Sequence, residues 1–66
     1  MKVFRMIQIL QDKGWEIRRV KGSHRQLKHP KKKGLVTIAG KLSDELKKGT
    51  LASILRQAGL SKTDLE

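Results

Sequence analysis

Apolar side chains recur along this chain at two spacings, and the change between them divides it. Val3, Met6, Ile7 and Leu10 fall at i, i+3, i+4 and i+7, with Lys2, Arg5, Gln8, Gln11 and Asp12 around them. That spacing predicts an amphipathic helix with one buried stripe. Phe4 and Ile9 sit at the margins of the stripe, where a side chain widens the core or edges into a partner. Lys13-Gly14 closes the helix, because glycine accepts the left-handed backbone of a helix end.

From Trp15 the period becomes 2. Trp15 and Ile17 alternate with Glu16 and Arg18, Leu27 with Gln26 and Lys28, and Val36 and Ile38 with Thr37. Three short strands, each buried on one side, are predicted. Gly22 marks the first turn, and Pro30 to Gly34 the second, with Lys31, Lys32 and Lys33 in an exposed loop. Ile17 and Leu27 both reach the core only if the loop between them has an odd number of residues or the pairing carries a bulge. A three-residue loop, Lys21-Gly22-Ser23, meets the condition. It pairs Ile17 with Leu27, Arg18 with Gln26, Val20 with His24 and Trp15 with His29. His24, Gln26, Lys28, Arg18 and Thr37 then share the face away from the core.

A polar connection follows, in which Leu42 and Leu46 are expected to turn inward. Thr50 is the expected N-cap of a second helix whose buried stripe is Leu51, Ile54, Leu55 and Ala58. Gly59-Leu60 reads as a Schellman ending with its apolar contact. Ser61 and Asp64 have capping-box spacing, and residues 61–66 are expected to form at most a fraying turn. The order helix, three strands, helix is best buried as an α+β two-layer sandwich, with both helices on one face of an antiparallel sheet. This is the architecture of the double-stranded-RNA-binding domain, and it leaves the second sheet face open.

Composition narrows the function. A chain of 66 residues has room for one domain over 1–66 and buries only about 60% of the surface that its unfolded form exposes. Function is therefore expected on an open face. Without cysteine there is no disulfide framework or thiolate chemistry, and two histidines with few carboxylates make a poor metal kit. Neither metal nor cofactor is expected. No apolar run is long enough to cross a bilayer, so the expected location is the cytoplasm. Sixteen Lys and Arg against six Asp and Glu give a formal net charge of +10. Charge of one sign at that level favours a polyanionic partner, whose neutralisation releases counterions.

His24 is the one group on the predicted open face suited to moving a proton near neutral pH. An imidazole there can take the proton of a ribose 2′-hydroxyl or return one to a leaving 5′-oxygen, while neighbouring cations stabilise charge growing on the phosphate. Arg18 and Lys28 are candidates to hold that phosphate, with Lys21 and Arg25 near the turn. Lys31, Lys32 and Lys33 are placed to steer RNA without reading its sequence, as are Lys47 and Lys48. His29, ahead of Pro30 and opposite Trp15, is read as a packing residue. Phe4 and Trp15 fall at core positions, which removes the exposed stacking platform of a single-strand binder. Taken from the residues alone, a nuclease, a non-catalytic RNA-binding module and a module for an acidic protein all remain open.

The run Lys21-Gly22-Ser23-His24-Arg25-Gln26-Leu27-Lys28-His29-Pro30 is preceded by Gly14-Trp15 and followed by Gly49-Thr50-Leu51-Ala52-Ser53-Ile54-Leu55-Arg56-Gln57-Ala58-Gly59-Leu60. Together they resemble the HicA toxin family, also called YcfA-like, over nearly the whole chain. The resemblance implies a small mRNA interferase with a fold like the double-stranded-RNA-binding domain, paired with a HicB-like antitoxin. It also implies that His24 is catalytic and that cleavage is ribosome-independent. The resemblance implies further that DNA is contacted only through the antitoxin complex, which in such systems covers the active face and represses its own operon. The chain departs from some relatives after its third strand, where Ala39-Gly40-Lys41 stands without their Pro and His.

Overall fold

In the computed structural model, which describes residues 1–65, the order is α1 (Val3–Asp12), β1 (Glu16–Lys21), β2 (His24–Lys28), β3 (Leu35–Ile38), α2 (Lys48–Ala58) and a closing 3-10 turn, Lys62–Leu65. The sheet is antiparallel throughout, with strand order β1-β2-β3. Val3, Met6, Ile7, Ile9 and Leu10 of α1, Leu27, Val36 and Ile38 of the sheet, and Ile54, Leu55 and Ala58 of α2 form one buried cluster around Trp15. The chain is thus the expected α+β sandwich, its helices burying one sheet face.

Both helix ends follow from glycine. After α1 the Trp15 amide donates to the Leu10 carbonyl at 3.0 Å and the Gly14 amide to Gln11 at 3.0 Å, the paired bonds of a Schellman motif. Gly14 has φ of 98°, and a Cβ there would stand 2.7 Å from His29 Nε2. After α2 the pattern repeats through Gly59 and Leu60, whose amides bond Arg56 and Leu55, and Leu60 packs against the core.

The helix starts differ from expectation. α1 has no side-chain cap; its first amides are met by a strap of chain, Val3 bonding the Asp44 carbonyl at 2.9 Å and Phe4 that of Leu42 at 3.0 Å. α2 begins at Lys48, with Lys47 as N-cap and no side-chain cap, so Thr50 lies inside the helix. Leu46, partly buried on the core and bonded through its amide to the Met1 carbonyl, brings the chain into the helix early. Leu42 stays half exposed, because the strap runs across the end of α1 with its carbonyl turned inward. Ile9 is buried and Phe4 is not. The 3-10 turn explains the difference, since Leu65 packs on the core beside Ile9. Ser61 holds that turn by donating its amide to Asp64 Oδ2 at 2.8 Å. Glu66 lies outside the described residues.

The hairpin corrects the expected register. Ile17 pairs with Leu27, but Arg19, not Arg18, stands opposite Gln26; Val20 is opposite Arg25 and Lys21 opposite His24. The pairing shifts between Ile17 and Arg19, so a bulge at Arg18 supplies the parity change and the turn has two residues, Gly22-Ser23. Gly22 has φ of 59°, and no residue other than glycine has positive φ among those described. Glycine in the first central position is the requirement of a type II′ hairpin turn.

Candidate nucleic-acid interface

Alternation from buried Leu27 turns Gln26, Lys28 and His24 to the open face of β2. On β3 the same face carries Leu35 and Thr37 opposite Lys28 and Gln26. On β1 it carries Arg19 and Lys21, set by their pairing with Gln26 and His24. On this face Arg19, Lys21, Gly22, His24, Gln26 and Thr37 line an open depression of about 600 Å³. His24 is exposed there, at the first strand position after the turn. A second depression, of about 260 Å³, is lined by Glu16, Arg18, Lys28, His29 and Pro30. The bulge therefore parts the two arginines: Arg19 joins His24, and Arg18 joins Lys28.

Arg19 was not anticipated as a site residue. The signal was present in Gly22-Ser23, since a Gly-first two-residue turn forces the bulge that brings Arg19 opposite Gln26.

The face is cationic, with Glu16 opposite Lys28 as its one carboxylate among the described residues. The ion pairs among the described residues join Glu45 to the N-terminus and Lys2, and Asp64 to Lys13, so none neutralises Arg18, Arg19, Lys21 or Lys28. The two carboxyls held below the usual range lie elsewhere: Glu45 by the N-terminal ammonium, and Asp64 by the Ser61 amide and then by Lys13. No group of three His, Cys, Asp or Glu placed to hold a metal ion occurs among the described residues.

The remaining candidates fall in other settings. Arg25 alternates to the helix-covered side, where its Nη1 donates to the Gly40 carbonyl at 2.8 Å and to that of Ser23 at 3.3 Å. The Gly40 amide also donates to Ser23 O at 3.1 Å, so Arg25 and Gly40 together hold the turn that presents His24. Lys31 and Lys33 are exposed in their loop. Lys32 donates its ammonium to the Ala58 carbonyl at 3.1 Å, where a cation complements the C-terminal end of α2.

His29 is fully engaged, as its packing role requires. Its Nδ1 accepts the amides of Lys31 and Lys32 at 3.0 and 3.3 Å. This assigns the proton to Nε2, which donates to the Lys13 carbonyl at 3.0 Å. The ring also stands edge-on to Trp15, centroids 5.4 Å apart. With both nitrogens bound to backbone, His29 ties the β2–β3 loop to the end of α1.

Among the described residues no helix is long and apolar enough to cross a membrane. No curated protein matches the chain. The model of the family described as HicA toxin of bacterial toxin-antitoxin matches residues 5–60, a span running from the first helix through the hairpin that carries His24 to the Gly59-Leu60 ending of the second. The chain therefore belongs to the HicA toxin family of bacterial toxin–antitoxin systems.

Proposed function

We propose that this toxin is an endoribonuclease that cuts mRNA with His24 as its proton-transfer group. The observation that carries the reading is the exposed imidazole at the hairpin turn, in a depression lined by Arg19 and Lys21 and by no carboxylate. A phosphodiester drawn to that face meets Arg19 and Lys21 beside His24, with Arg18 and Lys28 positioned for an adjacent phosphate. In the reaction the ribose 2′-oxygen loses its proton and attacks phosphorus, the bond to the 5′-oxygen breaks, and the leaving oxygen is protonated. His24 serves one of these transfers as general base or acid, and solvent or substrate serves the other. The cations stabilise the charge on the pentavalent phosphorane. The products are a 5′-hydroxyl and a cyclic phosphate, which opens to a 3′-phosphate.

The partner that restrains this activity is a HicB-like antitoxin, and the site of action is the cytoplasm. Removing a positioned general acid or base costs roughly 100- to 10,000-fold in rate. His24→Ala is accordingly expected to abolish RNA cleavage and growth arrest while RNA binding stays within a few fold. Cleavage should persist with chelator present, and an all-deoxy analogue of the RNA should resist. Parental cutting by the His24→Ala protein would refute the assignment. Binding with no cleavage by the parent would leave an RNA-binding module.

A further inference from the structure

The two edges of the sheet are finished differently. In a two-residue hairpin the pair flanking the turn, Lys21–His24, is hydrogen-bonded, so the next pair, Val20–Arg25, is not. The amide and carbonyl of Val20 therefore point away from β2, to the outer edge. The same alternation carried to β3 turns the Thr37 amide outward, and that amide is capped by Gln57 Oε1 of α2 at 3.2 Å. β1 has no such cover. Every residue of it is exposed, and among the described residues no group outside β2 bonds its backbone.

The side chains of β1 sort by face. On the helix-covered side Ile17 and Val20 are 38% and 57% exposed. Phe4, 44% exposed, lies about 140° around α1 from Ile9, at 100° per residue. Ile9 faces the 3-10 turn and α2 packs against β3, so Phe4 flanks the β1 side. On the opposite side stand Arg18, Arg19 and Lys21, which outweigh Glu16. One margin of the molecule thus presents an apolar strip, a free strand edge and a cationic strip in parallel.

We propose that this edge is a docking site for an acidic β-strand of a partner protein, added antiparallel or parallel to β1. Its alternate residues would be apolar against Phe4, Ile17 and Val20, and carboxylates against Arg18, Arg19 and Lys21. Strand addition draws affinity from the main chain and specificity from alternate side chains, and between the bulge and the turn β1 presents Arg19, Val20 and Lys21 to alternate faces. A second copy of this chain is disfavoured, because pairing two β1 edges sets like charges against each other between molecules that each carry +10. The inference gives a binding mode to the antitoxin of the proposed toxin and rests on that reading. Carboxylates laid along Arg19 and Lys21 would also neutralise the face beside His24.

The test follows amide exchange and chemical shifts in the isotope-labelled protein. The probe is a short blocked peptide alternating valine and glutamate, set against its valine–lysine counterpart. At tenfold excess over the dissociation constant, the Val20 amide is expected to exchange about tenfold more slowly, with shifts at Phe4 and Ile17. Val20→Pro removes the outward amide at a position where an edge strand tolerates proline. Val20→Glu keeps the amide but repels the peptide. Both variants are expected to lose the interaction, and Val20→Glu should cut RNA at the parental rate. Equal protection by the lysine peptide, or by an RNA oligonucleotide, would overturn the proposal. So would shifts confined to His24, Gln26, Lys28 and Thr37 with Val20 unprotected. Failure of docking in a protein that still cleaves RNA sinks the docking mode alone; docking by a protein that cleaves nothing sinks the nuclease reading instead.

Discussion

Gly14→Ala isolates the joint between the first helix and the loop after β2. Two costs add. An alanine held at φ of 98° costs about 1–2 kcal/mol, because its Cβ crowds the following carbonyl. That Cβ would also stand 2.7 Å from His29 Nε2, closer than the two atoms can approach. The ring cannot retreat freely, since Nδ1 is held by the Lys31 and Lys32 amides and Nε2 by Lys13 O. Giving up one or two of these bonds costs about 1 kcal/mol each. The sum is about 2–4 kcal/mol, a large share of the 5–15 kcal/mol that typically holds a domain together. At about 4–8 °C per kcal/mol for a chain of this size, the melting temperature falls by about 8–32 °C. Thermal and denaturant unfolding by circular dichroism measure it. In a His29→Ala background the collision is gone, so Gly14→Ala should there cost only the backbone share. Gly22→Ala, with nothing within 4 Å of its Cβ, should likewise cost only strain. An equal loss for Gly14→Ala with and without the imidazole would refute the argument.

Other consequences can be checked in the same preparations. Arg25→Gln should slow RNA cleavage more than it weakens RNA binding, because the guanidinium grips Ser23 and Gly40 behind the turn without facing the substrate; cleavage kinetics beside binding isotherms decide it, and unchanged kinetics would refute the positioning role. Asp64 has its carboxyl lowered by Ser61 and then Lys13, so its contribution to stability is present above the unfolded-state value and lost as pH falls through the folded one. The Asp64→Asn protein should therefore lose less stability than the parent between neutral and acid pH, and parallel profiles would count against it. RNA affinity should fall with salt by about 0.7–0.9 log units per log unit for each phosphate neutralised, and Arg19→Ala or Lys28→Ala should reduce that slope by about one such contact; an unaltered slope in both would remove these cations from the interface.

Much of this molecule was legible in the order of its residues, because local spacing suffices where burial and backbone geometry are both local. The stripe of α1, the glycine endings of both helices, the one-sided burial of β2 and β3 and the pairing of Ile17 with Leu27 all follow from patterns a few residues long. β1, expected to be buried on one side, is instead exposed along its whole length, since no helix covers Ile17 and Val20 fully. The open face bearing His24 follows too, since alternation from Leu27 turns that imidazole outward in either hairpin. What alternation could not decide was how parity is restored. A three-residue loop and a two-residue turn with a bulge both satisfy Ile17 and Leu27, yet they exchange Arg18 for Arg19 opposite Gln26. The glycine-first pair Gly22-Ser23 favours the two-residue turn, and the Gly40 amide, from across the sheet, holds it by donating to the Ser23 carbonyl while Arg25 joins Ser23 to Gly40. The fates of Arg25 and Lys32, tied to Gly40 and Ala58 carbonyls, and of Ile9, covered by Leu65, were decided in the same way. A charged or apolar side chain carries its chemistry in the sequence, but whether it meets solvent or a backbone carbonyl depends on partners that only the folded chain brings near.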